Sequence, residues 1–177
     1  MTLTGPRIAL REQRVDDAEA LADLIGRPEV FEFLKDDTKP DVEQMRELLR
    51  SAETPADDPT RTEYKLLITL DDRAIGLGGL EVKNTHNRLG EIGYALHPDH
   101  WGKGYATEAA NLLLTFGFDT LGLHRIEATT RPDNRASYRL MERIGMRREG
   151  LRRRDLLLRG EWRDSVLYAI LEDDPRP

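Results

Sequence analysis

The sequence contains no cysteine, which excludes disulfides, thiolate metal sites and a cysteine nucleophile. It also lacks any run of about 18 apolar residues, the length that a membrane-spanning helix needs. Residues 1–12 show no basic start followed by an apolar segment, as a secretory signal would. These absences predict a cytoplasmic protein that forms no covalent cysteine intermediate.

Positive charge is in deficit, with 27 Lys and Arg against 33 Asp and Glu and a formal net charge of −6. This balance disfavours nucleic acid as a partner and mildly favours cationic substrates, although net charge of this size also serves solubility alone. The 177 residues, 38% of them hydrophobic, are enough for one domain with a sizeable core. We expect a single domain over 1–177 with a polar tail at 172–177.

Apolar periodicity predicts an α/β fold. Asp16 and Asp17 can cap a first helix, which Pro28 ends, and residues 54–59 suggest a loop. Strands alternate apolar and polar residues, whereas helices repeat them every three to four positions. The predicted strands are 7–11, 64–70, 74–82, 91–96, 123–130 and a hairpin of 146–158 with 162–171, and the other helices are 41–52, 104–120 and 134–144.

A glycine-rich turn, Trp-Gly-Lys-Gly-Tyr-Ala-Thr at 101–107, leads into the long predicted helix. Glycines let backbone N–H groups approach an anion, and a helix N-terminus favours negative charge. The turn lacks the spacing of a P-loop, and Thr107 stands where a dinucleotide fingerprint needs its third glycine. It predicts a pyrophosphate site, although two-glycine helix starts are also common without a ligand.

Three separated segments share the pattern of one known family. Residues 131–146 read RPDNRASYRLMERIGM, residues 91–98 read EIGYALHP, and the glycine-rich turn lies between them. Together they resemble the GCN5-related N-acetyltransferase (GNAT) superfamily, and closely its ribosomal-protein-alanine N-acetyltransferase (Rim-type) branch. The resemblance covers nearly the whole chain and implies an acetyl-CoA-dependent N-acetyltransferase.

The resemblance also implies a mixed, mostly antiparallel central sheet, flanked by helices and splayed after the fourth strand, with acetyl-CoA in the gap. The family's Gln/Arg-x-x-Gly-x-Gly/Ala pattern falls on Trp101, Gly104 and Ala106, where Trp101 departs from Gln/Arg. The turn would hold the pyrophosphate, while the strand end and Asn134 would hold the pantetheine arm. The candidate acetyl-CoA-binding residues are Leu96, His97, Trp101, Gly102, Lys103, Gly104, Tyr105, Ala106, Thr107, Asn134 and Ser137.

Acyl transfer to an amine needs a base, because only a neutral amine attacks a thioester carbonyl. In the strand after Gly90, alternation places Glu91, Gly93 and Ala95 on one face. Small neighbours leave room for a substrate or water, so Glu91 is the candidate base, acting directly or through one water. The competing interpretation is a surface carboxylate without a role.

The leaving thiolate needs only modest help from a proton donor. In many relatives a tyrosine gives that proton, but the corresponding residue here is Met141, so the tyrosine mechanism does not carry over. Ser137 lies three residues after Asn134 on the same helical face and can donate a hydrogen bond to the sulfur. Tyr138 is the alternative, since a phenol has the better matched pKa but this one lies on the adjacent face.

The predicted acceptor is a primary amine, either a protein N-terminus or a small molecule, which attacks acetyl-CoA directly in a ternary complex. No metal is expected, because Pro98 interrupts the pair of His97 and His100 and no third ligand is evident. The run of three leucines at 156–158, in the predicted final hairpin, could pair with the same strand of a second copy in a homodimer. The competing hypothesis, favoured by Met141, is a CoA-binding sensor or interaction module without transferase activity.

Overall fold

Eight strands and five α-helices form most of the computed structural model, which describes residues 1–52, 58 and 60–176. The strands are β1 Thr2–Thr4, β2 Ala9–Glu12, β3 Glu63–Leu70, β4 Arg73–Asn84, β5 Leu89–Leu96, β6 Arg125–Thr130, β7 Arg147–Leu158 and β8 Glu161–Leu171. The helices are α1 Ala18–Gly26, α2 Pro28–Phe31, α3 Val42–Ser51, α4 Tyr105–Thr115 and α5 Arg135–Arg143.

The strands form one sheet in the order β1-β2-β3-β4-β5-β6-β8-β7, antiparallel except for the parallel pair β5 and β6. That pair is joined only at its start, from Leu89 opposite Arg125 to Glu91 opposite Glu127. Beyond Glu91 the described part of the chain offers β5 no partner on that side, so the sheet splays open. The predicted mixed, mostly antiparallel sheet is confirmed, and its predicted fourth strand is β5 because the short β1 was not expected.

Helices cover both faces of the sheet. In β3, Leu66 and Ile68 belong to the larger core, which includes α4 and α5, whereas Leu67 packs with residues of α1 and α3. All three side chains are at most 1% exposed. Because strand side chains alternate between faces, a strand covered on both sides must be apolar at consecutive positions.

Two helix ends differ from the predictions. The first helix ends at Gly26, and Pro28 begins α2 because a proline fits the first turn of a helix, where its missing N–H is not needed. The predicted helix at 104–120 divides into α4 and a π-helical turn at Phe116–Thr120. Because of the first difference, α2 and the segment after it line the opening in the sheet.

The remaining predictions concern the periphery. The predicted loop at 54–59 lies, except for Asp58, outside the described residues. The expected polar tail is tied to the domain, since the amide of Glu172 donates to the His124 carbonyl and Asp174 pairs with Arg147. No helix in the described residues is long and apolar enough to cross a membrane. Pairing of the edge strand β7 across a homodimer stays a prediction.

Candidate functional site

A cleft of about 1180 Å³ opens where β5 and β6 diverge. One part, the turn side, is lined by the glycine-rich turn and by α5. The other part, the carboxylate side, is lined by α2, residues 33–35 and Glu91. The gap in the sheet therefore connects two binding regions that lie on opposite faces.

The turn side presents unpaired backbone amides. Gly102 and Gly104 have φ values of 74° and 82°, in the left-handed region that glycine adopts without strain. Gly104 is the N-cap of α4, and no described side chain caps this helix. The first helical amide to donate is that of Glu108, to the Gly104 carbonyl, so the amides at 105–107 have no partner among the residues that the structure describes. This arrangement suits a phosphate group.

Arg7, in the N-terminal segment, holds the glycine-rich turn in place. Its guanidinium donates 2.8 Å hydrogen bonds to the carbonyl of Lys103 and to the carboxylate of Glu108. Burial alone would raise the pKa of Glu108, but the hydrogen bonds from Arg7 and from the amide of Ile8 lower it. The turn is therefore braced to the N-terminal segment by an ionised pair.

Leu96, at the end of β5, keeps one backbone group open toward the gap. The His97 amide donates to the Ile75 carbonyl, and because antiparallel pairs alternate, the backbone groups of Leu96 face away from β4. The Leu96 carbonyl accepts a 2.8 Å bond from the indole of Trp101. The Leu96 N–H, which has no partner in the described residues, is thus the group available to a ligand.

The side chains of two predicted cofactor-binding residues lie elsewhere. His97 has its N–H engaged by Ile75, and its ring nitrogen lies 3.3 Å from the Asp23 carboxylate of α1. The Lys103 ammonium donates to the Asp99 carbonyl. Neither residue lines the cleft, so the structure gives no support to a pantetheine bond from the N–H of His97. The described residues contain no group of three His, Asp or Glu placed to hold a metal ion.

Helix α5 brings Asn134 and Ser137 to the gap. The Asn134 side chain caps the helix by accepting a 3.1 Å bond from the Ser137 amide. The Ser137 hydroxyl lies 3.4 Å from the phenol of Tyr94 on β5. Burial raises the pKa of Tyr94 to about 12, which the bond to Ser137 only partly offsets, so the phenol stays protonated. Strand alternation placed Tyr94 on the face opposite Glu91, but it could not reveal this partner.

Tyr138 does not join this arrangement. Its ring packs 5.7 Å from that of Tyr168, and the side chain does not line the cleft. One residue along a helix turns a side chain by about 100°, which carries Tyr138 away from the gap. Met141, in contrast, is 1% exposed and does line the cleft.

Sequence reasoning missed three arginines on α5. Arg135, Arg139 and Arg143 all line the turn side of the cleft. They lie four residues apart and therefore form one stripe on the helix. Within the described residues none of them has an ion-pair partner, so the stripe adds positive charge to the lining of the cleft. The four-residue spacing was visible in the sequence.

The carboxylate side centres on Glu91, whose side chain is 19% exposed. It accepts hydrogen bonds from the Lys35 ammonium at 2.5 Å and the Thr129 hydroxyl at 2.9 Å, and Lys83 lies 4.0 Å away. Burial alone would raise its pKa, but the attraction and hydrogen bonds of these groups lower it. A Cβ atom at Gly93 would meet no atom within 4 Å, so there is open space at this position on the face that carries Glu91.

Arg159, between β7 and β8, holds the segment 31–37 that carries Lys35. Its guanidinium lies over the ring of Phe31, 4.5 Å from the ring centroid. It donates to the carbonyls of Phe31, Glu32 and Asp36 at 3.0, 3.2 and 3.3 Å, and its amide donates to the Asp37 carboxylate at 2.7 Å. Lys35 therefore reaches Glu91 from an anchored segment.

Comparisons with known proteins agree with this architecture. The family model of the acetyltransferase (GNAT) domain matches residues 7–147. The uncharacterised N-acetyltransferase p20 of Bacillus licheniformis is 31% identical over 171 residues, which are 97% of this chain and 96% of p20. A GNAT-family acetyltransferase from Bacillus anthracis superposes with a TM-score of 0.84 at 31% identity, covering 98% of this chain and 100% of that protein.

A further solved structure is that of Mycobacterium smegmatis RimJ in complex with CoA-disulfide. It has a TM-score of 0.83 and 28% identity, over 93% of this chain and 81% of RimJ. The predicted resemblance is thereby confirmed, including its relation to the Rim-type branch. The chain belongs to the GNAT family of N-acetyltransferases and is an acetyltransferase enzyme.

Proposed function

We propose that this enzyme transfers an acetyl group from acetyl-CoA to a primary amine by direct attack in a ternary complex. The observation that carries the proposal is the cleft through the splayed sheet. It joins open amides on one face to an ionised carboxylate on the other, so two substrates can meet without a covalent intermediate. The absence of cysteine agrees with direct transfer.

The turn side fits the acyl donor. The amides at 105–107 and the two left-handed glycines suit a pyrophosphate. The arginine stripe of α5 suits the further phosphate of CoA, and the N–H of Leu96 suits an amide of the pantetheine arm. The CoA-disulfide bound to the similar RimJ supports the same ligand here.

Glu91 fits the role of base. Its pKa is lowered, so the carboxylate is ionised at neutral pH and can accept a proton from the acceptor ammonium directly or through one water, although the same shift makes it a weaker base. An α-amine, with a pKa of about 8, loses its proton more easily than a lysine at about 10.4, a difference worth roughly 3–4 kcal/mol. Deprotonation of a protein N-terminus or a weakly basic small amine by Glu91 therefore costs less free energy than deprotonation of a lysine.

Ser137 fits the role of hydrogen-bond donor to the sulfur as the C–S bond breaks. The protonated Tyr94 phenol, whose oxygen lies 3.4 Å from the Ser137 hydroxyl, can donate a hydrogen bond to that hydroxyl and orient it. A thiol with a pKa of about 8.5 is a good leaving group, so this modest assistance suffices. The buried Met141 cannot donate a proton.

Release of free thiol from acetyl-CoA with a panel of amines tests the proposal. The panel should contain short peptides with free N-termini, N-terminally blocked peptides with lysine, and small amines. We expect amine-dependent release, together with saturable CoA binding. Binding of CoA without turnover on any amine would instead identify a sensor or interaction module.

A further inference from the structure

The Lys35 ammonium lies beside the carboxylate that the proposed function assigns as the base for the acceptor amine. It lies 2.5 Å from the Glu91 carboxylate, on the carboxylate side of the cleft. Its side chain is 48% exposed. The chain thus presents a primary amine of its own to the candidate base.

The segment that carries Lys35 is fixed from two directions. Arg159 binds four of its backbone and carboxylate groups. Arg131, which follows β6, donates a further 3.0 Å bond to the Glu32 carbonyl and lies 5.3 Å from the ring of Phe33. A nucleophile held in place reacts as if its concentration were very high, because the entropy of encounter has already been lost.

Two other lysines line the same cleft and serve as internal comparisons. Lys83 lies 4.0 Å from Glu91, beyond hydrogen-bond distance, and also pairs with Glu81 at 3.1 Å. Lys65 pairs with Glu63 at 3.1 Å. Among these three lysines only Lys35 is within hydrogen-bond reach of the candidate base.

We propose that Lys35 is a site of self-acetylation, an inference that rests on the proposed function. Glu91 accepts a proton from the Lys35 ammonium, and the neutral Nζ forms a bond to the thioester carbonyl carbon of acetyl-CoA. The C–S bond then breaks and its electron pair leaves with sulfur. The attacking nitrogen loses its second proton, which the CoA thiolate takes up, and Glu91 returns the first proton to solvent. The products are N-acetyl-lysine at position 35 and free CoA. The modified side chain no longer pairs with Glu91 as a cation.

The test uses the full chain and isotope-labelled acetyl-CoA without any acceptor amine. Peptide mass spectrometry follows the labelled acetyl group at Lys35, Lys65 and Lys83 over time. We expect Lys35 to be labelled roughly tenfold or more faster than the other two, as positioning predicts. Its first-order rate constant should not depend on protein concentration, because the transfer is intramolecular. Glu91→Gln should slow labelling of Lys35 by about 100-fold and leave Lys65 unchanged.

Equal labelling of the three lysines would overturn the inference, since it would show chemical acetylation in solution. A rate constant that rises with protein concentration, or unchanged labelling of Lys35 in Glu91→Gln, would also overturn it. Thiol release with the amine panel separates this inference from the proposed function. Turnover of an external amine without labelled Lys35 overturns self-acetylation alone, whereas neither turnover nor labelling overturns both.

Discussion

The two sides of the cleft are formed by different kinds of groups, backbone amides on the turn side and side chains on the carboxylate side. On the turn side, the backbone amides at 105–107 form the candidate site, and their geometry depends on the conformations of the two preceding glycines, Gly102 and Gly104. On the carboxylate side, Lys35, Lys83, Glu91 and Thr129 come from four separate elements and meet through their side chains. A backbone site keeps its shape when neighbouring side chains change, whereas a side-chain site changes with each substitution. This difference suits an enzyme with a fixed acyl donor and an adaptable acceptor.

Replacement of Glu91 by glutamine should have the largest effect on turnover. Glutamine keeps the shape of the side chain but cannot accept the proton, so we expect kcat to fall by about 10²–10⁴-fold. CoA affinity should stay unchanged, because the turn side does not involve this residue. Steady-state kinetics with the best amine and a separate CoA-binding titration give both values. An unchanged rate and pH profile would show that Glu91 is not the base.

Replacement of Gly104 by alanine should weaken CoA binding. A left-handed residue with a Cβ costs about 1–2 kcal/mol, which corresponds to roughly 5–30-fold in Kd if the turn shifts to relieve it. Calorimetric titration with CoA measures this loss. Gly122→Ala is the control for the left-handed backbone, since Gly122 has a φ of 64° and does not line the cleft. A Cβ at Gly104 would in addition lie 3.3 Å from the guanidinium of Arg7, whereas Gly122 has open space around it.

Gly122→Ala should therefore reduce thermal stability without changing the Kd for CoA.

Gly93→Ala probes the carboxylate side of the cleft, because its new methyl group would enter open space on the face that carries Glu91. We expect it to raise KM for the acceptor and leave CoA binding unchanged. Equal loss of CoA affinity in all three variants would remove the distinction between the two sides.

Most of the fold was predictable because the alternation of apolar and polar residues in strands, and the glycines at turns and helix ends, are local features of the sequence. The strands β3 to β8 were placed within about two residues of their observed bounds. β1 was missed, since three residues carry no periodicity and its pairing of Leu3 with Leu10 depends on tertiary register. α2 was missed because Pro28 was interpreted as a helix end, although a proline equally suits a helix start.

The candidate site divides in the same way. The turn at 101–107 was visible as a glycine pattern, and Glu91 followed from alternation on a strand. The contact between Glu91 and Lys35 spans 56 residues and depends on how Arg159 holds an irregular segment. No local pattern encodes such a contact. Tyr94 was likewise visible as a residue but not as the partner of Ser137.

Replacement of Ser137 by alanine should have a smaller effect than that of Glu91. A single hydrogen bond to the sulfur contributes about 0.5–1.5 kcal/mol, so we expect kcat to fall roughly 2–12-fold. Tyr94→Phe should lower kcat less, because it acts only through the Ser137 hydroxyl. If the two effects are coupled, the double variant will resemble Ser137→Ala alone. Additive losses would show that the two hydroxyls act separately.

Replacement of Arg139 by alanine should affect the donor alone. An exposed ion pair contributes about 0.2–1 kcal/mol, which corresponds to roughly 1.5–5-fold in Kd for CoA at low salt. Dephospho-CoA, which lacks the separate phosphate, should bind wild type and variant equally if the stripe recognises that group. Equal weakening for both ligands would assign Arg139 to the pyrophosphate instead.

Replacement of Lys35 by methionine removes a positive charge beside Glu91. We expect this change to have the smallest effect on activity at neutral pH and a measurable effect at acid pH. Lys35 lowers the pKa of Glu91 against the opposing effect of burial, so its loss raises that pKa. A base works only when deprotonated, and activity is lost as pH falls through its pKa. The acid limb of kcat/KM should therefore move to higher pH. Lys83→Met should shift the limb in the same direction but less, because Lys83 lies at 4.0 Å instead of 2.5 Å. An acid limb that stays fixed in both variants would show that it reports a different group.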